Sequence, residues 1–351
     1  MALARTEIPN AMGIKQKNWW CGLLVLALVI LGHAEAFGQS KTGTTVGPFL
    51  LIEPSARAAA MGNASVGTFD EVLSAFYNPG ARGHLTTSGV QLTHSAWFDA
   101  IEYNYGAVAV KLGPNTLMLS VSGLDSGEME VRTTDRPEGT GERFSVQDLA
   151  LGLGFGRRIT DRFSAGVQVK YYQQTIWHSQ LSAFAFDFGV LYELPFRAYL
   201  GASLSNFGTR GSFDGRDLRI RFDADRERFG DNSNLPAALE TEDFALPILF
   251  RVGVGLPVAV GANNRVLFTA DAFQPSDNTE SVSFGAEWTF LDVFSARGGY
   301  QYLFQEDSEM GLTLGSGVQY EIGGYGARFD YAWAAHERIG DTHRFTLGFS
   351  F

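Results

Sequence analysis

Apolar and polar residues alternate along most of the chain after residue 87, which is the pattern of β-strands. Successive side chains of a strand point to opposite faces, so every second residue shares a face. Most of the predicted strands run to about ten residues or more, the length that a tilted strand needs to cross a bilayer. About fourteen spans are predicted: 88–97, 103–112, 115–124, 146–157, 163–177, 181–193, 197–206, 245–257, 264–274, 280–290, 293–305, 309–321, 324–335 and 342–351.

The two faces of these strands differ in a way that separates a membrane barrel from a soluble sandwich. One face is apolar, as in Phe184, Phe186 and Phe188. The opposite face holds charged or polar residues in mid-strand: Lys170, Asp187, Asp271, Glu287, Arg297, Gln301, Arg328, Asp330 and Arg344. Such charges would be costly in a dry sandwich core, whereas inside a lumen they can pair or stay hydrated. The pattern predicts an all-β fold, an antiparallel transmembrane β-barrel over residues 88–351.

The last ten residues form a strand with one aromatic and aliphatic face. That face comprises Phe345, Leu347, Phe349 and Phe351. Taken alone, the segment would also suit the terminal strand of a sandwich. In a barrel the last strand pairs with the first and leaves no open edge. The pattern resembles the carboxy-terminal assembly signal of bacterial outer-membrane barrels, so it predicts an integral protein of a Gram-negative outer membrane, with its lipid and the barrel-assembly machinery as partners.

The connections between predicted strands sort by length. Those on one side are short turns, and the two long ones, 125–145 and 207–244, fall on the other, as in outer-membrane barrels. Large apolar side chains in the second long connection predict a partner-binding loop, with Phe213, Leu218, Ile220, Phe222 and Phe229 as candidates. Arginines alternate with three of them, which predicts a short strand. The alternative is that these side chains pack together and close the lumen.

The amino terminus has the features of a signal peptide over residues 1–36. Basic Lys15 and Lys17 precede an apolar stretch, and Ala34-Glu35-Ala36 is a small-x-small cleavage site, with cleavage after Gly38 as the second choice. About 13 apolar residues fall short of the roughly 20 that a spanning helix needs, which disfavours an uncleaved anchor. Met12 is an alternative start. The single cysteine, Cys21, lies in this signal, so the mature protein would contain no thiol.

Residues 37–87 lack the strand pattern and predict a hatch that fills the lumen. They contain the small-residue run 56–62 and an Asn-Pro turn. The candidate hatch residues are Arg57, Met61, Gly62, Asn78 and Pro79.

Several motifs resemble the PorV/PorQ family of outer-membrane barrels, in the wider class typified by the fatty-acid transporter FadL. The resemblance rests on the stretch 49–64, the following Ala-Phe-Tyr-Asn-Pro-Gly at 75–80, and shorter matches at 94–98, 148–152, 184–189 and 204–208. It implies a fourteen-stranded barrel with an amino-terminal hatch. It also implies, for several members, work in type IX secretion, in which they receive or hold exported cargo at the cell surface.

Other functional classes find little support. The net charge of −11 argues against nucleic acid as a partner. No serine or carboxylate is paired with a recognisable base, so no enzyme is predicted, and no cofactor or metal site either. The glycines at 152, 154 and 156 have the wrong spacing for a nucleotide loop and predict a narrow lumen wall. Acidic residues of the long connections leave a surface calcium site as an alternative: Asp125, Glu128, Glu130, Asp223, Asp225, Glu227 and Asp231.

Two functions remain open from the sequence. The first is a non-enzymatic barrel that binds secretion machinery or cargo through its outer loops. The second is a transporter of hydrophobic small molecules, for which Gly298-Gly299 and Gly323-Gly324 are candidate kink sites in the wall. A passive porin is disfavoured because a hatch would occupy its lumen.

Overall fold

The structure, a computed structural model, describes residues 43–98, 100–223, 227, 234–261, 263–305, 308–336, 338 and 340–351. The predicted signal peptide, residues 37–42 of the predicted hatch, and Phe229, Asp225 and Asp231 lie outside these residues. No helix in the described ranges is long and apolar enough to cross a membrane.

Fourteen long strands make up the main sheet of the described chain. They are β1 (Gly89–Ala96), β2 (Glu102–Leu112), β3 (Asn115–Asp125), β4 (Val146–Thr160), β5 (Phe163–Ile176), β6 (Ser179–Glu193), β7 (Tyr199–Gly208), β8 (Leu249–Ala259), β9 (Asn264–Pro275), β10 (Ser281–Phe290), β11 (Phe294–Leu303), β12 (Met310–Ile322), β13 (Tyr325–His336) and β14 (Thr342–Ser350). Their bounds differ from the predicted spans mostly by one to four residues at the ends.

The sheet closes on itself, because every strand pairs antiparallel with both of its neighbours in sequence and β14 pairs with β1. The closing register runs from Gly89 opposite Ser350 to Ala96 opposite His343. Closure removes the open edges that an ordinary sheet would expose. The predicted antiparallel barrel of about fourteen strands is therefore confirmed.

The exterior of the barrel is apolar and the interior is polar. Outward side chains such as Leu119, Phe184 and Phe268 are half exposed or more. The charged residues predicted for the opposite face are largely buried inside, and Asp187 and Lys170 form an ion pair there, 2.8 Å apart. An apolar exterior around a polar interior suits lipid, and the protein is an integral outer-membrane barrel.

Residues 43–88, here called the lumen segment, lie inside the barrel and contact strands on opposite sides of it. The segment contains a 3₁₀ helix at Pro48–Leu51, α1 (Ala56–Ala60), α2 (Ser74–Tyr77) and a second 3₁₀ helix at Pro79–His84. Inward-facing glycines make room for it. A methyl group at Gly166 would overlap the Pro79 carbonyl, and one at Gly156 would overlap the Arg82 side chain. The glycine-rich run of β4 thus forms a narrow wall against the segment.

The two long connections follow β3 and β7 and so lie at the same end of the barrel, here called the long-loop end. In the first, Met129–Glu130 pairs with Arg143–Phe144. In the second, Arg219–Phe222 pairs with Leu235–Ala238, and these two strands are here called the outer hairpin. A 3₁₀ helix, Arg216–Leu218, precedes it. The short strand predicted around Ile220 is confirmed.

Neither of the two proposed kink sites is a kink in the wall. Gly298 and Gly299 keep a continuous register against Ala286 and Gly285, so that prediction is wrong. The shift in register occurs a little further along β11, where Val282 pairs with Leu303 and Phe284 with Tyr300. Gly323 and Gly324 form the tight turn between β12 and β13, where both have positive φ, rather than a distortion of the wall.

Candidate functional site

Arg57 connects α1 to the barrel wall. Ser55 caps the amino end of this helix, because its hydroxyl accepts a hydrogen bond from the Ala58 amide at 3.1 Å. The Arg57 side chain is 2% exposed, and its Nε and Nη2 donate to the two Glu287 carboxylate oxygens of β10 at 2.7 and 2.6 Å. Its Nη1 also pairs with Asp70 of the lumen segment. Such a two-pronged contact fixes the orientation of the helix as well as its position.

The Arg57 contact belongs to a buried network of alternating charges. Arg297 of β11 binds Glu287 at 2.6 Å and Asp330 of β13 at 2.7 Å, and Arg328 also pairs with Asp330. The network therefore contains three arginines and three carboxylates: Arg57, Arg297 and Arg328 with Glu287, Asp330 and Asp70. Asp70 lies at its margin. The sequence showed the wall charges but not their partners, since Arg57 and Glu287 are 230 residues apart. Removing one member would leave a buried charge without compensation.

Met61 and Gly62 lie at the carboxyl end of α1, next to β10 and β11. Met61 is fully buried. Gly62 has a φ of 65°, and a methyl group there would lie 2.7 Å from the Tyr300 carbonyl oxygen. Its amide donates to Thr313 Oγ1 at 3.0 Å. Only glycine fits this left-handed backbone so close to the wall.

Asn78 and Pro79 fasten the segment to the wall formed by β5 to β7. The Asn78 side chain is fully buried; its Nδ2 donates to the carbonyls of Val66 and Val190 at 3.0 and 2.9 Å, and its Oδ1 accepts the Gly80 amide at 2.9 Å. Pro79 begins the following 3₁₀ helix. The five candidate hatch residues therefore lie at two anchoring regions, one around α1 and one around this turn.

His84 and Arg82 were not singled out from the sequence. Arg82 is fully buried and pairs with Gln168, and burial lowers its pKa to about 10. His84 is buried beside Arg158, whose Nη2 lies 3.2 Å from its Nδ1. Burial, and then the neighbouring cations Arg158 and Lys111, lower the pKa of His84 to about 4. At neutral pH the imidazole is uncharged and can accept from Arg158.

Two cavities lie along the lumen segment at opposite ends of the barrel. One, of about 210 Å³, is bordered by Glu53, Tyr302 and Arg344 at the long-loop end and is here called the upper cavity. The other, of about 320 Å³, is bordered by Glu71 and Arg328 at the short-turn end. The segment and its charge network separate the two.

The candidate partner-binding residues divide into two groups. Ile220 and Phe222 of the outer hairpin are 37% and 49% exposed. Phe213 is half-buried and packs against the hydrophobic cluster inside the barrel, and its amide donates to Thr241 Oγ1 at 2.9 Å. Leu218 is half-buried in the 3₁₀ helix that precedes the hairpin. Both interpretations of this loop therefore have support, closure of the lumen by Phe213 and exposure of an apolar surface by the hairpin.

The predicted assembly face of β14 lies on the outside of the barrel. Phe345, Leu347, Phe349 and Phe351 are all between 39% and 55% exposed. Two acidic residues of the first long connection have local partners: Asp125 accepts the Gly127 amide and Glu128 pairs with Arg143 at 2.9 Å. Among the described residues, no three His, Cys, Asp or Glu side chains are grouped so that they could hold a metal ion.

Comparison with known proteins gives a resemblance to one family over part of the chain, and a fold. The family model of the type IX secretion system protein PorV matches residues 35–191, which span the lumen segment and most of the first six strands. No curated protein sequence matches the chain significantly.

Several solved structures that superpose on this chain are transporters or channels of aromatic hydrocarbons. The toluene transporter TodX of Pseudomonas putida superposes with a TM-score of 0.56 at 13% identity, over 85% of this chain and 98% of that one. The CymD monoaromatic hydrocarbon channel gives 0.57 at 10% identity, over 86% and 97%. The toluene transporter TbuX of Ralstonia pickettii gives 0.53 at 12% identity, over 85% and 97%. At such identities the likeness establishes the fold, and the resemblance to the PorV/PorQ family is confirmed by the family model.

Proposed function

We propose that this PorV-like outer-membrane barrel is a non-enzymatic docking protein whose outer hairpin binds a component or an exported cargo protein of a secretion system. The family match supports the class of partner, because the matched model describes a type IX secretion protein. The hairpin supports the mode of binding. The mature chain would present it on the cell surface, where a second protein can reach it.

The observation that carries this proposal is the exposed apolar surface of the outer hairpin. Ile220, Phe222 and Leu235 are 37%, 49% and 41% exposed. Phe222 is paired with Leu235 across the two strands. Arg219 and Arg221 alternate with these residues. Apolar side chains held on a small sheet and flanked by charge are typical of a recognition surface.

The filled lumen supports a docking role over that of an open pore. The lumen segment contacts the wall on several sides, and glycines allow its backbone to approach closely. The transporter alternative draws on the two cavities, which lie on either side of the segment. In that case the segment would have to move for a molecule to pass from one cavity to the other.

The test is a double substitution, Ile220→Ser with Phe222→Ser, in protein purified from its native membrane. We expect normal barrel assembly, shown by heat-modifiable migration on gels, and at least a tenfold loss of the co-purifying protein, since two apolar side chains at the centre of an interface commonly dominate its affinity. Met129→Ser is the matched control, because Met129 is also exposed, at 38%, but lies in the other long connection.

An unchanged level of bound partner in the double variant would contradict the docking proposal. Loss of small-molecule uptake in the same variant, with no protein partner found in the wild type, would favour the transporter.

A further inference from the structure

The outer wall of the barrel has a groove next to the seam where β14 closes on β1. The groove measures about 580 Å³ and is bordered by residues of β1 to β4, β13 and β14. Gly106 of β2 and Gly123 of β3 leave it open, whereas an outward side chain of the same wall such as Leu119 is 63% exposed. Neither glycine has a positive φ, so the backbone itself does not require glycine there. The two glycines therefore provide space on the lipid-facing side.

Two polar side chains border this groove on the side of the long-loop end. His94 of β1 and Asn104 of β2 are directly opposite each other, both are exposed, and His94 Nδ1 donates to Asn104 Oδ1 at 2.9 Å. The Asn104 amide also has two N–H groups that this bond does not use. A polar group that meets hydrocarbon without a hydrogen-bond partner is costly. The pair therefore suits the polar part of a lipid rather than its chain.

Two carboxylates lie just beyond this polar pair. Glu102 is at the start of β2, and it is directly opposite Asp125 at the end of β3. Both are exposed, and like charges that face each other across two strands repel. Asp125 accepts from Gln147 Nε2 at 3.0 Å and from the Gly127 amide at 2.8 Å, and neither donor carries a charge. A cation at this level of the wall would therefore be stabilising.

The order of these groups along β2 matches the order of groups in a lipid that carries an amine. From the long-loop end, Glu102 comes first, then Asn104, then Gly106, and all three have the same outward orientation. Successive members are about 7 Å apart along the strand. The head of such a lipid has an ammonium group, an ester or amide linkage follows, and the acyl chain comes last. The rest of the groove is apolar, with Leu92 and Leu347 at its border.

We propose that this groove binds an amine-bearing lipid of the outer leaflet. Its ammonium group lies between Glu102 and Asp125, its linkage accepts from Asn104, and one acyl chain runs past Gly106 and Gly123. The long-loop end is the outer side of barrels of this kind, which places the head group in the outer leaflet. The two carboxylates disfavour an anionic head group. This inference does not depend on the docking proposal, and it involves no molecule inside the barrel.

The experiment counts the lipid molecules that stay bound to the barrel. The protein is reconstituted in vesicles of equal parts phosphatidylethanolamine, phosphatidylcholine and phosphatidylglycerol, released into detergent, and measured by native mass spectrometry. Phosphatidylethanolamine has the ammonium group, phosphatidylcholine has a methylated one that cannot donate, and phosphatidylglycerol has none. We expect the wild type to retain phosphatidylethanolamine at least about threefold over phosphatidylglycerol, which is the size of effect that exposed ion pairs give. Phosphatidylcholine should lie between the two.

Two variants separate the head group from the chain. Glu102→Gln should reduce the preference for phosphatidylethanolamine, because one of the two carboxylates is lost. Gly123→Leu should lower the retention of all three lipids by filling the groove, and the wall has room for it, since the nearest atom to an added methyl lies 3.8 Å away. The matched controls are Asp161→Asn, an exposed acid of the turn between β4 and β5, and Gly298→Leu, an outward glycine of β11 outside the groove. Both controls should behave as the wild type.

Heat-modifiable migration shows that each variant is folded. If Gly123→Leu fails to fold, Asn104→Leu provides the second test, because it removes the hydrogen bond to the linkage and should lower the retention of phosphatidylethanolamine. Equal retention of phosphatidylethanolamine and phosphatidylglycerol by the wild type would overturn the proposal, as would an unchanged preference in Glu102→Gln. An equal loss of lipid in Gly123→Leu and Gly298→Leu, or no loss in either, would also overturn it.

Discussion

The lumen segment is held at two regions by different interactions. Around α1 the main contact is electrostatic, because Arg57 reaches Glu287 on the wall and joins a network of buried ion pairs. Around Asn78 and Pro79 it is a close backbone approach, in which wall glycines leave room and amide hydrogen bonds fix the turn. The first kind of contact depends on charge and the second on shape. The lumen segment therefore combines a region sensitive to charge with a region sensitive to volume.

The largest effect is expected from Arg57→Met, which removes the cation that binds Asp70 and leaves Glu287 with Arg297 alone. Breaking a buried pair in this way typically costs about 3–5 kcal/mol. We expect the variant to show a lower denaturant midpoint and faster proteolysis within the lumen segment. The paired change Arg57→Met with Glu287→Gln should recover part of the stability, because the network then again holds as many arginines (Arg297 and Arg328) as carboxylates (Asp70 and Asp330). An additive double variant would show that the two residues do not interact.

A smaller effect is expected at the second region from Gly166→Ala. The added methyl group would overlap the Pro79 carbonyl, and overpacking of this kind costs about 1–3 kcal/mol. The matched control is Gly298→Ala, where the nearest atom to an added methyl lies 3.6 Å away. Denaturant midpoints of the two variants in the same lipid would show the difference. Similar midpoints for both would mean that the turn does not press against the wall as described.

The smallest effect is expected from the titration of His84, the last residue of the 3₁₀ helix that Pro79 begins. The folded-state pKa of His84, about 4, lies below its ordinary value of 6.5, so the unfolded chain binds the extra proton first. The contribution of His84 to the free energy of unfolding is complete above pH 6.5 and is lost progressively as the pH falls toward 4. Between pH 7 and 5 the stability should fall by about 1 kcal/mol after allowance for solvent screening. His84→Asn should remove this part of the pH dependence in denaturant titrations, and an unaltered pH profile would contradict it.

The strands could be predicted from the sequence because lipid and lumen impose opposite preferences at every second residue. Phe184 and Asp187 show this, since one faces out and the other lies in an ion pair inside. The small residues and the Asn-Pro turn likewise indicated a segment that is not a strand. Local pattern carries this information, so the barrel and the position of its last strand follow from it.

The partners inside the lumen could not be predicted in the same way. Arg57 and Glu287 meet only because the segment folds back into a closed barrel, and no local periodicity encodes that distance. Phe213 illustrates the same limit in the loops, because its alternation with polar residues does not tell whether it packs inward or faces solvent. The glycines of β4 were a usable signal, since repeated glycine in a strand often marks a close approach, and Gly154 and Gly156 do face Arg82 of the lumen segment.

The most direct test of the lumen segment as a plug is the conductance of the barrel in planar bilayers before and after deletion of residues 42–84. The deletion removes both anchoring regions but leaves β1 to β14 intact, and its assembly is checked by heat-modifiable migration. If the lumen segment is a plug, the full protein will show little conductance and the deletion variant will form stable open channels. Equal conductance in the two proteins would contradict it.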